Sequence, residues 1–241
     1  MTNADEDILT TLEKGQITLL GEYVWGSNYT FSVQVEYQDH TLQAVYKPTR
    51  GERPLWDFTR ASLARREVAA YLVSKALGWD LVPPTVYRKQ APIGPGSLQL
   101  FVEHDPEYHY FNFRAADRQR LRPVVLFDLL INNADRKGSH VLIDPEGHLW
   151  LIDHGICFHR EDKLRTVIWE FAGEPIPQEY CAALDRLYQI LKSESDLVSQ
   201  IQTVLSQEEI KALTARARHL LTLNRFPNPH PNRRPYPWPP V

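Results

Sequence analysis

The alternation of apolar and polar positions changes character along this 241-residue chain. Residues 17–24 and 29–37 carry β-branched and aromatic side chains in an alternating pattern, and residues 41–47 repeat it after the polar turn Gln38-Asp39-His40. A period of two turns one face of each segment toward a core, so the three are predicted to be antiparallel strands. Over residues 56–77 helix formers take over, with Leu63, Val68, Tyr71, Leu72 and Ala76 as the apolar positions and Gly78 as the C-terminal stop. Pro83-Pro84 opens an extended run to Arg88, and the Pro95-Gly96 turn leads into an apolar strand over residues 97–102. The order β-β-β-α-β-β predicts a small strand-rich lobe over residues 1–102.

Downstream the pattern is mainly helical. Residues 116–133 contain the apolar run Val124 to Ile131, read as a buried helix starting at or just before Pro123. Residues 141–144 and 149–153 flank the turn-forming Pro145-Glu146-Gly147, which predicts a hairpin. Two further helices are expected over residues 178–192 and 207–223, the second opened by the capping box Ser206-Gln-Glu-Glu209. These elements make a helical lobe over residues 103–224. The proline-rich stretch 225–241 excludes a helix and favours an extended polyproline conformation. Phe226, Tyr236 and Trp238 are expected to anchor it to its own domain.

Composition narrows the picture. With 27 Lys and Arg against 30 Asp and Glu, the net charge is -3 and no long basic run occurs, which argues against a nucleic-acid surface. The acidic N-terminus has no signal-like apolar stretch, and no run approaches the roughly 20 apolar residues of a transmembrane helix. A cytoplasmic protein is expected. Cys157 and Cys181 are too few for a disulfide framework, and Cys157 is expected to be a buried structural thiol. Oligomeric state is not legible here.

The candidate chemistry lies in two short stretches. Asn133-Ala134-Asp135-Arg136-Lys137-Gly138-Ser139-His140 follows the apolar helix, and Asp153-His154-Gly155 ends the hairpin 18 residues after Asp135. Phosphoryl transfer needs one carboxylate to orient a hydroxyl and take its proton, and another to hold a divalent metal against phosphates. Asp135 and Asp153 have those places in order. Lys47 closes the third strand, and Glu67 lies twenty residues on in the helix, an ion pair suited to holding α- and β-phosphates. Gly26-Ser27 sits between the first two strands and, with one Gly rather than three, reads equally as a simple hairpin turn or as a loop whose backbone N–H groups and hydroxyl would cover phosphates. The stretch from Gln99 to Glu103 is the expected connector between lobes, with backbone for an adenine edge. Asn132 and Asn133 are expected to satisfy loop backbone, His154 to pack near the site, and Arg136 and Lys137 to hold anions or form a solvated loop face.

Phe127-Asp-Leu-Leu-Ile-Asn-Asn-Ala-Asp135-Arg136 resembles the loop of atypical kinases of the phosphatidylinositol 3-/4-kinase and HipA-like type. Asn-Asn-Ala-Asp-Arg-Lys-Gly-Ser-His, Ile-Asp-His-Gly, the stretch Leu164 to Gly173 and the final Pro-Trp-Pro-Pro are similar to a kinase-like family of actinobacteria and related bacteria. That likeness spans nearly the whole chain. It implies an α+β, two-lobed protein-kinase-like fold, ATP with Mg²⁺ or Mn²⁺, and Asp153 with His140 as metal ligands. His140 departs from the usual Asn, and an imidazole shifts preference toward manganese or marks a lost metal position. No long segment or Ala-Pro-Glu signature follows Gly155, so a small molecule is as suitable an acceptor as a protein. Two other readings stay open: a nucleotide-binding pseudokinase or nucleotidyl transferase, and a metal hydrolase using His140, His148, His154 and His159.

Overall fold

A computed structural model describes residues 3–23 and 29–241. It begins with a helix absent from the sequence reading, α1 (Asn3–Lys14). The signal lies in Ile8, Leu9 and Leu12, which share one helical face; Leu12 is fully buried against the strands that follow. β1 (Gln16–Glu22), β2 (Phe31–Tyr37) and β3 (His40–Pro48) form an antiparallel meander in which Phe31 pairs with Tyr46 and Tyr37 with His40. Gln38 takes the left-handed conformation, φ 53°, in the tight β2–β3 turn.

The helix α2 (Leu63–Leu77) starts later than expected, because Ala61 has φ 60° and breaks the helical path. Gly78, at φ 69°, ends it where a side chain would be strained. β4 (Thr85–Arg88) and β5 (Gly96–Leu100) complete a five-stranded sheet of order β1-β2-β3-β5-β4. A short helix, α3 (Ala115–Gln119), precedes α4 (Arg122–Ile131), which starts just before Pro123 as predicted. Proline belongs in a first helical turn, where its missing N–H costs no intrahelical bond. β6 (Val141–Ile143) and β7 (Leu149–Leu151) are the expected hairpin. After α5 (Gln178–Leu191) comes α6 (Asp196–Gln202), which the periodicity did not reveal, and then α7 (Gln207–Leu223). The Ser206–Glu209 capping box is present in both directions.

Two apolar clusters organise these elements. One joins Leu12 to Val33, Val35, Ala44, Tyr46, Val86 and Leu98 of the sheet. The other gathers α4, the hairpin, α5 and α7, and it also takes Ala69, Val73 and Leu77 of α2. So α2 is fixed by the helical core while one of its charged side chains remains near β3. The tail docks on this second cluster. Phe226 is 1% exposed and packs on Phe171, and the backbone bonds Gly173 N to Phe226 O (2.8 Å), Thr166 N to Pro235 O (2.9 Å) and Gly138 N to Pro240 O (2.8 Å) carry it along the surface. Tyr236 and Trp238 are not the expected anchors: they are 49% and 75% exposed, and main-chain pairing holds that stretch instead. Among the described residues, no helix is long and apolar enough to cross a membrane.

Candidate active site

The strand alternation of β3 sends Ala44 and Tyr46 into the sheet's core and leaves Lys47 on the other face. Its ammonium lies 2.7 Å from Glu67 Oε1 and is also hydrogen-bonded to Asp153 Oδ1. Burial alone would lower the Lys47 pKa, but the carboxylates of Asp153 and Glu67 override it and raise it. Glu67 is 3% exposed, and its second oxygen accepts the His154 backbone N–H at 2.9 Å. Thus α2, β3 and the turn after β7 are tied at one point.

Asp153 has φ 62°, a left-handed conformation uncommon for a residue other than glycine. Such backbone costs of order 1 kcal/mol and persists where surroundings over-determine it. Here Lys47 holds the carboxylate on one side, and His140 Nε2 stands 3.2 Å from Oδ2 on the other. The Lys47 ammonium holds the Asp153 carboxyl well below the usual carboxylate range, against the opposing effect of burial. His140 is 7% exposed, and burial pushes its imidazolium down to about 4 although Asp153 works the other way. It is therefore neutral at physiological pH.

Asp135 lines the same small pocket as Lys47, Glu67 and Asp153. Burial raises its carboxyl to about 6; Lys137, whose Nζ is 3.9 Å away, opposes the rise, and Asp153 adds to it. The Asp135 N–H donates to Asn133 Oδ1 at 2.9 Å, which sets the loop's path. Asn132 caps α4 with φ 55°, and its amide donates to the carbonyls of His159 (2.9 Å) and Glu161 (2.6 Å). Asn132 thus satisfies loop backbone. Asn133 serves both backbone and the Asp128 carboxylate.

Arg136 is neither an anion ligand nor a solvated loop residue. It is fully buried, with Nε 2.9 Å and Nη2 3.0 Å from the two Asp128 carboxylate oxygens, and Nη1 donating to the carbonyls of His140 (3.2 Å) and Ile152 (2.9 Å). Nη2 also lies 2.9 Å from His154 Nε2. Arginine's planar fork can satisfy all these acceptors at once. One guanidinium therefore fastens the loops of Asp135 and Asp153 to α4. The signal in the sequence was Asp128, a lone acid within an apolar run that requires a buried cation.

Gln99 is not presented to a ligand. It lies in the sheet between partners on β3 and β4, and its amide donates to Thr85 Oγ1 at 2.8 Å. Glu103 is exposed in the connector beyond β5. Gly26 and Ser27 lie outside the described residues. His148 and His159 reach the separate carbonyls of Asp80 and Asp57, so the four histidines of the hydrolase reading do not converge. Cys157 is fully buried, and burial pushes its thiol well up.

The pocket enclosed by Lys47, Glu67, Asp135 and Asp153 holds about 90 Å³, below the roughly 300 Å³ at which whole-ligand sites begin. It has room for the phosphate end of a nucleotide. Asp153 and His140 offer a carboxylate and a neutral imidazole side by side, a donor pair that suits Mn²⁺ better than Mg²⁺.

Known proteins share the fold that carries these residues. The chain is similar over its backbone to the Golgi casein kinase with Mn/ADP bound (TM-score 0.57, 15% identity, 90% of this chain and 74% of the other). It also resembles hydra Fam20 with sugar (TM-score 0.58, 14% identity, 92% and 88%). At such identities the likeness shows a kinase fold. In sequence it is 39% identical to Protein Rv2133c of Mycobacterium tuberculosis, over 97% of this chain and 95% of that one. It is 32% identical to phosphatidylinositol 4-kinase gamma 4 of Oryza sativa subsp. japonica, over 52% of this chain and 26% of that relative. Residues 57–206 match the family described as phosphatidylinositol 3- and 4-kinase. With most of its length matched and the Lys47–Glu67–Asp153 cluster assembled on a kinase fold, the chain belongs to the phosphatidylinositol 3- and 4-kinase family.

Proposed function

We propose that this protein is an ATP-dependent, metal-dependent phosphotransferase. The observation that carries the reading is the bridging of Glu67 and Asp153 by one lysine, since these residues lie 20 and 106 positions from it and pair across three elements. Lys47 binds the α- and β-phosphates, and Glu67, fixed by the His154 N–H, holds that ammonium in place. Asp153 and His140 would hold a divalent metal, which would supply positive charge to offset that of the phosphates. Gly26 and Ser27 would cover the phosphates, and with Gln99, Leu100 and Phe101 committed to the sheet, the connector at Val102 and Glu103 would supply backbone to the adenine edge.

Asp135 accepts the proton. The acceptor's hydroxyl oxygen forms its bond to the γ-phosphorus as the bond to the β-bridging oxygen breaks, so ADP leaves with that oxygen's electron pair. The hydroxyl proton passes to Asp135. A carboxylate whose pKa is about 6 is mostly ionised at neutral pH yet more basic than an exposed one, which suits this role. Incubation with ATP and Mg²⁺ or Mn²⁺, with ADP and AMP followed separately, tests the reading. ADP release dependent on Asp135 supports it; AMP release assigns nucleotidyl transfer, and nucleotide binding without turnover assigns a pseudokinase.

A further inference from the structure

A second and larger cleft, about 1200 Å³, lies between α7, residues 160–169 and the proline-rich tail. Its charge is lopsided. Arg160, Lys163, Arg165, Arg216, Arg233 and Arg234 line it against only Glu161 and Asp162, six cations to two acids. Lys163 is paired with Asp57 and Glu161, and Arg233 with Asp162. Among the described residues, no carboxylate stands within 4.0 Å of the other four arginines.

The arginine on α7 is held by its neighbours. Arg216 spends Nε on the Leu130 carbonyl (2.8 Å) and Nη1 on that of His159 (3.2 Å), while Nη2 is enclosed without a partner. The Trp169 indole nitrogen, on the same cleft, is also buried and unpartnered. Both donors are enclosed by protein, so Arg216 contributes its charge to the wall of the cleft and no free N–H to its occupant. Guanidinium forks match phosphate oxygens in geometry as well as charge. The volume exceeds the phosphate pocket at Lys47 and is ample for a phosphate ester with its organic body. The tail's prolines supply a stiff apolar wall, and the cleft abuts the catalytic loop through Arg165, whose N–H donates to Asn133 O at 2.9 Å.

We propose that this cleft is a binding site for a phosphorylated molecule, built from Arg160, Arg165, Arg216 and Arg234 and separate from the nucleotide pocket. The tail contributes a wall and one of the four guanidiniums. The proposal rests on anion binding alone and does not require phosphotransfer.

Inorganic tripolyphosphate is the probe, titrated calorimetrically in the absence of metal into Lys47→Ala protein, so that the nucleotide pocket is disabled. The Arg160→Ala/Arg234→Ala pair, both exposed, is then added; its melting temperature provides the check on folding. The proposal expects binding in the first protein and at least a tenfold weaker affinity in the second, with melting unchanged. Vesicles of phosphatidylcholine with phosphatidylinositol 4-phosphate form a second arm. Sedimentation lost in the arginine pair assigns the phosphate to a lipid headgroup, while tripolyphosphate binding without sedimentation assigns a soluble ester; either result supports the site. No binding in either arm, or binding indifferent to the two arginines, overturns it.

Discussion

His140 is buried and Asp135 half-buried, and desolvation drives their pKa values in opposite directions, Asp135 up to about 6 and His140 down to about 4. The sign follows from disfavouring charge: a carboxylate is pushed up and an imidazolium down. Activity that needs ionised Asp135 is therefore lost as pH falls through about 6. The same raised pKa means that the folded state binds this proton more tightly than the unfolded one, so Asp135 opposes stability above about 6 and ceases to do so as pH falls toward 4. His140 stays neutral across that window and contributes no limb between 6 and 7, although its residue type alone places one there. A pH–rate profile in which Asp135→Glu moves the acid limb and His140→Asn does not is the expected result. The latter substitution should also shift metal preference several-fold from Mn²⁺ toward Mg²⁺, because an amide oxygen is the harder donor; equal preference in both proteins removes His140 from the metal set. At this scale the order Lys47, Glu67, Asp135, Asp153 was legible because each residue sits at a recognisable place on a local element. Arg136 was misread because its partners, Asp128 and His154, are 8 and 18 positions away and only folding brings them to it.

At the scale of elements, α2 and the two catalytic turns are held by a few buried polar contacts. The Asp128–Arg136 pair has no exposed surface, and removing one partner leaves an uncompensated charge at a cost of roughly 3–5 kcal/mol. Arg136→Met should lower the melting temperature by about 6 °C or more, taking 2–4 °C per kcal/mol for a chain of this size. A shift under 2 °C would show that the loops are fastened by something else. Most elements could be read from period and punctuation: the β1–β3 meander, the hairpin and α7 with its capping box all carry their signals within a dozen residues. α1 and α6 were missed. α1 shows only three large apolar residues in an acidic stretch, and α6 spans seven residues, too short for a periodic signal to emerge.

Across the whole molecule, the tail closes the structure by bonding to the catalytic loop at Gly138 and to the following segment at Thr166. Truncation after Asn224 removes Phe226 from its site and leaves those N–H groups without their partners. Loss of about 2–3 kcal/mol from the aromatic burial alone predicts a melting temperature lower by roughly 4–12 °C at 2–4 °C per kcal/mol. Unchanged melting would mean that the tail contributes no packing. Its sequence revealed an extended chain and Phe226 as an anchor, whereas the exposed Tyr236 and Trp238 show that aromatic content alone does not say which side chains dock. The central claim is that one assembled cluster both binds metal–ATP and transfers its γ-phosphoryl group. The most direct measurement is ATP affinity and ADP release, in parallel, for wild type, Asp153→Asn and Asp135→Asn. The account predicts at least tenfold weaker metal-dependent binding in Asp153→Asn, and in Asp135→Asn an affinity within a few-fold of wild type with turnover down about 100-fold or more. Wild-type affinity in Asp153→Asn, or undiminished turnover in Asp135→Asn, would contradict it.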